Sequence, residues 1–456
     1  MKQRILIVGG LAAGPSAASK AKRVNPNAEV ILFEKGEYIS YGICEIPFYV
    51  GNVVKDAGQL ISYTPQRLEQ TKGVTVRTLS LVEEIVTSKK KIVVRDLNRD
   101  KTSEFSYDRL ILATGSSPRT LGLDGERGRN VFYVKTLDQG YALKRYIEEE
   151  RPRRAVIVGG GYIGMEMAEA FLSNGIETTL LHRSELPMSR LERDTRQAAK
   201  DALVRHGVTF VPMSIVRELR ADSTGKICEV VANTGSCKTD LVVIAIGVKP
   251  NTGLARGVGI RESSHGGILT DQRQVTGIDT IFAAGDCCAV KNLVNNKWMY
   301  IPLATTASKQ GWVAGENAAG GSAVFKGVIR ALAVKVFDLE IAQVGLSSKE
   351  AEDTGFSVVT ESITGNSKIG FMPGNARVHV TLVADKKSER VLGANVYGEN
   401  GAVLRANTLG VAIQHKLTID ELAQLDLIYS PPFAPLWDPI LIAANQTNKR
   451  LRSTLR

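Results

Sequence analysis

Cysteine is scarce: 5 in 456 residues, at positions 44, 228, 237, 287 and 288, and no two are spaced as C-x-x-C. A thioredoxin-type pair and a zinc site are therefore not expected. The 5 histidines have no partner at i, i+4, so no metal is assigned. Long apolar runs are absent too. Leu241 to Ile246 is among the longest, far short of the roughly 18 residues a spanning helix requires. Met1 to Arg4 leads straight into the apolar run Ile5–Val8, which leaves no room for a leader segment, and a cytoplasmic protein is expected. No stretch is low in complexity. No nucleic-acid motif or run of aromatics accompanies the net charge of +11, so that excess is read either as a solvated basic surface or as attraction for phosphorylated small molecules. The length suggests two to four domains.

What is present is organised around two glycine-rich loops. Strand Ile5–Val8 runs into Gly9-Gly10-Leu11-Ala12-Ala13-Gly14, then a helix to about Val24, then strand Glu29–Phe33 ending on Glu34. Amides at a helix start take a pyrophosphate and an acidic strand end takes a ribose diol, so this reads as a dinucleotide unit although Leu11 replaces the middle glycine. A second unit follows: strand Ala155–Val158, a full G-x-G-x-x-G over Gly159 to Gly164, helix Met165–Ser173, and strand Thr178–Leu181 ending on His182-Arg183. A cationic or hydrogen-bonding end suits an adenosine 2′-phosphate, so NADPH is expected ahead of NADH.

Between the units lies Tyr107–Pro118, a buried strand entering a glycine turn; a similar strand-to-turn at Leu241–Asn251 closes the second unit, and Thr280–Asp286 ends in Gly-Asp. From about Phe325 the pattern changes to short strands (357–364, 377–384, 391–397) and helices at 402–415 and 418–424, a separate α+β region.

Cys44, within Ile39 to Val50, has no neighbouring cysteine. A useful exchange thiol must ionise near neutral pH. Pro47 marks a helix start beside it, which would favour the thiolate, whereas Glu45 would oppose it. With no second thiol nearby, an oxidised Cys44 must be a mixed disulfide or a sulfenic acid. Cys287-Cys288 is read as structural packing.

These segments together (VGGLAAG, ISYGICEIPFYVG, ATGSSP, VGGGYIGMEMAE, AAGDC, IPLATTASKQGWVAGEN and YSPPFAPLWDP) resemble the flavin-dependent pyridine nucleotide–disulfide oxidoreductases. The branch is the single-cysteine one that includes coenzyme A-disulfide reductase, NADH oxidase and NADH peroxidase. The resemblance implies an α/β fold of two Rossmann-like three-layer domains and a C-terminal α+β dimerisation domain. Residues 1–118 and 253–324 would form the FAD domain, 119–252 the NAD(P) domain, and 325–456 the interface of a homodimer.

It further implies that FAD is held by Gly9, Gly10, Ala12, Ala13, Gly14, Glu34, Lys35, Ala113, Thr114, Gly115, Gly285, Asp286, Pro302, Ala304 and Thr305. The nicotinamide nucleotide falls to Gly159, Gly161, Tyr162, Ile163, Gly164, His182, Arg183 and Gly247, with Tyr162 as a gate over the flavin. Cys44 becomes the redox sulfur. Tyr429 and Phe433 would enter the partner subunit's active site, Tyr429 as a proton or hydrogen-bond donor. Ser16, Lys20, Arg23, Ser40 and Lys72, with Lys22, match positions lining a coenzyme A channel.

Ala12 stands where the oxidase and peroxidase members carry a histidine, and His182-Arg183-Ser184 matches the coenzyme A-disulfide reductases. Three departures surround the substrate sulfur: Ile43 replaces an asparagine, Glu45 a small residue, and Phe371-Met372 a tyrosine pair. A low-molecular-weight disulfide, most like that of coenzyme A, is the expected substrate. A persulfide or polysulfide, and dioxygen, remain alternatives. A non-catalytic redox-sensing flavoprotein is the reading from another class.

Overall fold

The computed structural model describes residues 2–454. Strand β1 (Arg4–Val8) is followed by helix α1 (Ala13–Val24) and β2 (Glu29–Phe33), and β1 and β2 pair in parallel, Arg4 opposite Glu29 through Val8 opposite Phe33. Both strands are apolar along almost their whole length because helices or further strands cover both faces of a parallel sheet. The sheet is extended by β3 (Thr75–Arg77) beside β2 and β4 (Arg109–Leu112) beside β1, and a strand from far along the chain, Ile281–Ala283, pairs with β4.

Short helix α2 (Ile46–Val50) leaves this first unit, and helix α3 (Leu137–Glu150) introduces the second. The second sheet repeats the plan of the first. Strand β5 (Arg154–Val158), helix α4 (Tyr162–Leu172), β6 (Glu177–Leu181), β7 (Thr209–Val211) and β8 (Leu241–Ile244) are arranged with β5 central, paired in parallel to β6 and β8. Helix α4 starts at Tyr162, three residues ahead of the expected Met165. The glycine loop already supplies helical backbone there, so the apolar run marks the helix interior and not its start.

The chain returns through β9 (Ile281–Ala283) and helix α5 (Ala304–Ala318), which packs on α1. That contact is backbone on backbone. A Cβ at Gly311 would lie 2.2 Å from the Ala13 carbonyl oxygen and one at Gly315 2.1 Å from that of Ala17. The remaining region is a five-stranded antiparallel sheet, strands Ala331–Val336, Leu339–Gly345, Val358–Asn366, Arg377–Asp385 and Val391–Gly398, with helices Ala402–Gln414 and Pro439–Thr454 packed on it. Two of its strands, at 331–345, and its last helix are additional to the sequence reading.

Candidate active site

Glycine at three places is dictated by contact. A Cβ on Gly9 would sit 2.0 Å from the Ala113 carbonyl oxygen, on Gly14 1.8 Å from that of Gly9, and on Gly164 2.0 Å from that of Gly159. The last two let α1 and α4 close onto the strands that precede them. Gly115 and Gly161, by contrast, face open space within 4 Å, the situation expected where a ligand backbone approaches. Helices α1, α4 and α5 all begin without a side-chain cap. Their first N–H groups are therefore free to meet anionic oxygens. Three uncapped helix starts, two of them behind glycine cradles, fit the phosphate groups of two dinucleotides.

The ends of β2 and β6 do related work with different atoms. Glu34 accepts from Gly10 N–H at 2.6 Å and from Gly36 N–H at 2.8 Å. His182 Nδ1 accepts from Gly160 N–H at 3.1 Å. Burial first, then Arg183 and Arg196, depress the imidazole to about 4. His182 is thus neutral near pH 7, and Nδ1 is its acceptor. The sequence reading gave this strand end a cationic or hydrogen-bonding part. The structure gives His182 the hydrogen bond and leaves the charge to Arg183, which is exposed. Lys35 is also exposed.

The crossover between the units is tied by Asn251, which the sequence reading passed over. Its Nδ2 donates to the Thr114 carbonyl at 2.8 Å, its N–H donates to that of Gly115 at 2.9 Å, and the Thr114 hydroxyl donates to its carbonyl at 2.6 Å. Gly247, with φ +98°, accepts from Arg119 N–H. Gly285 lies against Ala13, where its Cβ would come within 2.9 Å, and donates its N–H to Gln310 Oε1 at 3.0 Å. Asp286 accepts from Ser116 Oγ at 3.0 Å and pairs with Lys135 Nζ at 3.2 Å. Ala12 and Leu303 are the residues before α1 and α5, and Pro302, Ala304 and Thr305 form the rim at the start of α5. Ile163 follows Tyr162 in the first turn of α4.

Cys44 stands two residues before α2 and is reachable by solvent. Its thiol is pushed up, first by burial among the surrounding protein, then by Glu166 and Glu45. Lys135 acts in the opposite direction and Asp286 adds to the rise. The expected lowering by the helix start does not prevail. With five residues α2 carries a small dipole, and desolvation with nearby carboxylates outweighs it. Glu45 folds back over Gly42, where a Cβ would lie 1.2 Å from its Oε2. Tyr162, half-buried, is pushed up to about 12 by burial.

Ser16, Lys20, Arg23, Ser40 and Lys72 are brought together. All five line one open cavity of about 430 Å³, with Trp312, Tyr63 and Tyr41. Lys22 is not among its walls. It donates to the Pro26 and Ala28 carbonyls. The cavity reaches Gly42, two residues from Cys44. Lys20 is held by Glu316 at 2.8 Å and lies 3.9 Å over the Trp312 ring. Trp312 was missed because, in sequence, it reads as one more apolar residue of a helix. Tyr429 and Phe433 are exposed on the final segment, and none of the charges bearing on Cys44 comes from it. Cys287 and Cys288 are buried, their sulfurs 3.8 Å apart.

An NAD(P)H sulfur oxidoreductase (CoA-dependent) of Pyrococcus abyssi is 33% identical over 445 residues, 97% of this chain and 98% of that protein. The crystal structure of reduced Bacillus anthracis CoADR-RHD superposes with a TM-score of 0.96 at 30% identity, covering 99% of this chain and 81% of that one. An engineered water-forming NADPH oxidase bound to NADPH, a variant of the Lactobacillus brevis NADH oxidase, gives 0.95 at 29% identity and full coverage of both chains. Residues 3–311 match pyridine nucleotide-disulphide oxidoreductase and residues 332–439 match the dimerisation domain of the same enzymes. The chain belongs to the pyridine nucleotide-disulphide oxidoreductase family.

Proposed function

We propose that this protein is a homodimeric, FAD-dependent NAD(P)H:disulfide oxidoreductase that reduces a low-molecular-weight disulfide or persulfide carrying coenzyme A. The observation that carries the reading is the cavity lined by Lys20, Arg23 and Lys72 that reaches Gly42, two residues from the solvent-reachable free thiol of Cys44. Arg23 and Lys72, with Lys20 shared with Glu316, and a polar rim suit a ligand with several phosphates, and the reach of the cavity to Gly42 would bring a thiol at the ligand's far end towards Cys44.

A bound FAD supplies two-electron exchange between a nicotinamide and a sulfur. Gly9 to Gly14 and Glu34 would hold its adenosine and pyrophosphate, with Asp286 and the start of α5 at the other end. Gly159 to Gly164 would take the nicotinamide nucleotide's phosphates, and Arg183 a 2′-phosphate. The engineered NADPH oxidase carries arginine followed by serine among its substituted positions. Arg183-Ser184 presents that pair at the end of β6, which supports NADPH ahead of NADH. In the exchange step the Cys44 thiolate attacks one sulfur of a disulfide RSSR, the S–S bond breaks, and RS⁻ leaves as Cys44–S–S–R forms. The partner subunit's Tyr429 would donate a proton or hydrogen bond to that leaving group. Exposed Phe371, Ile428, Phe433, Leu436 and Trp437, between 58% and 85% accessible, supply an apolar face for the second copy.

The test is Cys44→Ser. It should keep FAD and NADPH-driven bleaching of the flavin while turnover of coenzyme A disulfide and of its persulfide falls more than about 100-fold. Unchanged turnover would sink the assignment. Rapid NADPH oxidation in air, with no stimulation by either sulfur substrate, would favour the oxidase reading that the Lactobacillus brevis likeness supports.

A further inference from the structure

The segment that carries Cys44 is fastened by the unit that follows it in the chain. Its turn is continuous with α2, since Ile46 N–H donates to the Ile43 carbonyl at 3.2 Å and Tyr49 N–H to that of Glu45 at 3.0 Å. Cys44 therefore moves with α2. Beyond the helix, the N–H groups of Gly51 to Val54 take up the carbonyls of Pro47, Phe48 and Tyr49. The next two carbonyls, of Val50 and Gly51, are left for side chains.

Those side chains come from α3 and the end of α4. Asn174 Nδ2 donates to the Val50 carbonyl at 2.9 Å, Lys144 Nζ to the same oxygen at 3.5 Å, and Ser173 Oγ to the Gly51 carbonyl at 3.1 Å. Lys144 also donates to Asn52 Oδ1, and Asn52 Nδ2 donates to Asn174 Oδ1 at 2.9 Å. The four groups close a circuit, in which Lys144 and Asn174 meet on one carbonyl and again through one amide. Packing fixes the other end of α2. A Cβ at Gly140, one turn before Lys144, would lie 2.7 Å from Ile46 Cγ2, and one at Gly51 would lie 3.1 Å from Ala170 Cα. One stripe of α3 thus holds α2 at its first residue and at its last. Lys144 is only 7% exposed, and no other lysine among the described residues is buried. Its ion pair is with exposed Glu148 at 3.5 Å. An ammonium is kept in such a recess only where its donors are used.

We propose that Lys144 is a positioning residue for the sulfur half of the reaction. It sets where α2, and with it Cys44, stands against the flavin, although it belongs to the unit that takes the nicotinamide nucleotide. The loop Gly159 to Gly164 lies at the opposite end of α4 from Ser173 and Asn174, so nucleotide binding does not draw on the circuit. The inference rests on Cys44 being the redox sulfur, and the two fail in different measurements.

Two half-reactions are timed by flavin absorbance in the anaerobic, FAD-loaded protein: bleaching by NADPH, and recolouring of the reduced enzyme by coenzyme A disulfide. Lys144→Met should slow recolouring about 10-fold or more, as expected of a displaced sulfur, and leave bleaching within a factor of two. Lys144→Arg, which keeps the charge and the donors, should recover most of the loss. Parent-like recolouring in Lys144→Met overturns the proposal. So does an equal slowing of both half-reactions, which marks a merely structural lysine. Should Lys144→Met fail to retain FAD, Asn52→Gly answers in its place. The backbone there has φ +65°, which glycine accepts, and the change opens the circuit while leaving the lysine where it is. It should show the same split with a smaller loss, and no split is refuting. Recolouring that survives in Cys44→Ser refutes the redox role of the thiol, and the role of Lys144 with it. Recolouring lost in Cys44→Ser but intact in Lys144→Met refutes the role of Lys144 alone.

Discussion

The two glycine-loop units are built on one plan and end differently. In each, the second glycine of the loop donates its N–H to the side chain that closes the following strand, Gly10 to Glu34 and Gly160 to His182. A carboxylate has about four acceptor positions, so Glu34 can serve Gly10 and Gly36 and still accept from a ribose diol. A neutral imidazole has one acceptor nitrogen, and Gly160 uses it. The same backbone requirement is thus met twice, but only the first unit keeps capacity for a sugar at its strand end. In the second unit the charge at the strand end sits outward, on exposed Arg183.

Breaking the plan outright should have the largest effect. Gly14→Val places atoms on the Gly9 carbonyl and should prevent FAD retention, and with it much of the fold, at a cost of about 3 kcal/mol or more. Gly164→Val should leave flavin absorbance in place and abolish reduction by NADPH. Flavin retained by Gly14→Val would mean that the two loops do not divide the ligands in this way.

Exchanging the strand-end acceptors is a milder intervention. Glu34→Gln keeps an acceptor for Gly10 but loses the carboxylate, and FAD affinity should fall roughly 10-fold or more. His182→Asn supplies an acceptor near the place of Nδ1, and nucleotide affinity should be nearly unchanged. The imidazole also predicts a pH dependence with a definite sign. Its folded value, about 4, lies below the unfolded value near 6.5. The unfolded chain therefore binds more protons in that window, and stability is complete above pH 6.5 and lost as pH falls towards 4. Between pH 7 and pH 4.5 the parent should lose on the order of 2 kcal/mol that His182→Asn keeps. Equal acid sensitivity in thermal melts would refute a buried neutral imidazole.

The smallest effect belongs to Arg183→Glu, which should raise the KM for NADPH about 10-fold and leave that for NADH within a factor of two. Equal changes would show that the exposed arginine does not meet a phosphate.

Legibility in the sequence followed the range of the interaction. The run from β1 through α1 to β2 was readable, with strand Glu29–Phe33 exact to the residue, because periodicity, glycine and a terminal acid all act within thirty residues. The cavity residues Ser16, Lys20, Arg23, Ser40 and Lys72 came only through family resemblance. Spacing alone does not bring Lys72 to α1. Strand Ala331–Val336 alternates too weakly to stand out, with three of its six residues exposed or partly so before Val334, and helix Pro439–Thr454 lies behind a proline-rich segment that reads as a tail.

The meeting of Gly311 and Gly315 with the carbonyls of Ala13 and Ala17 has a temporal side. Helix α1 acquires the partner that fits it only after some three hundred further residues have been translated. The second glycine-loop unit, whose parts all lie within the interval, can close on itself while the first still waits with one flank bare. The portion of the polypeptide made earliest is thus completed only after the unit that follows it.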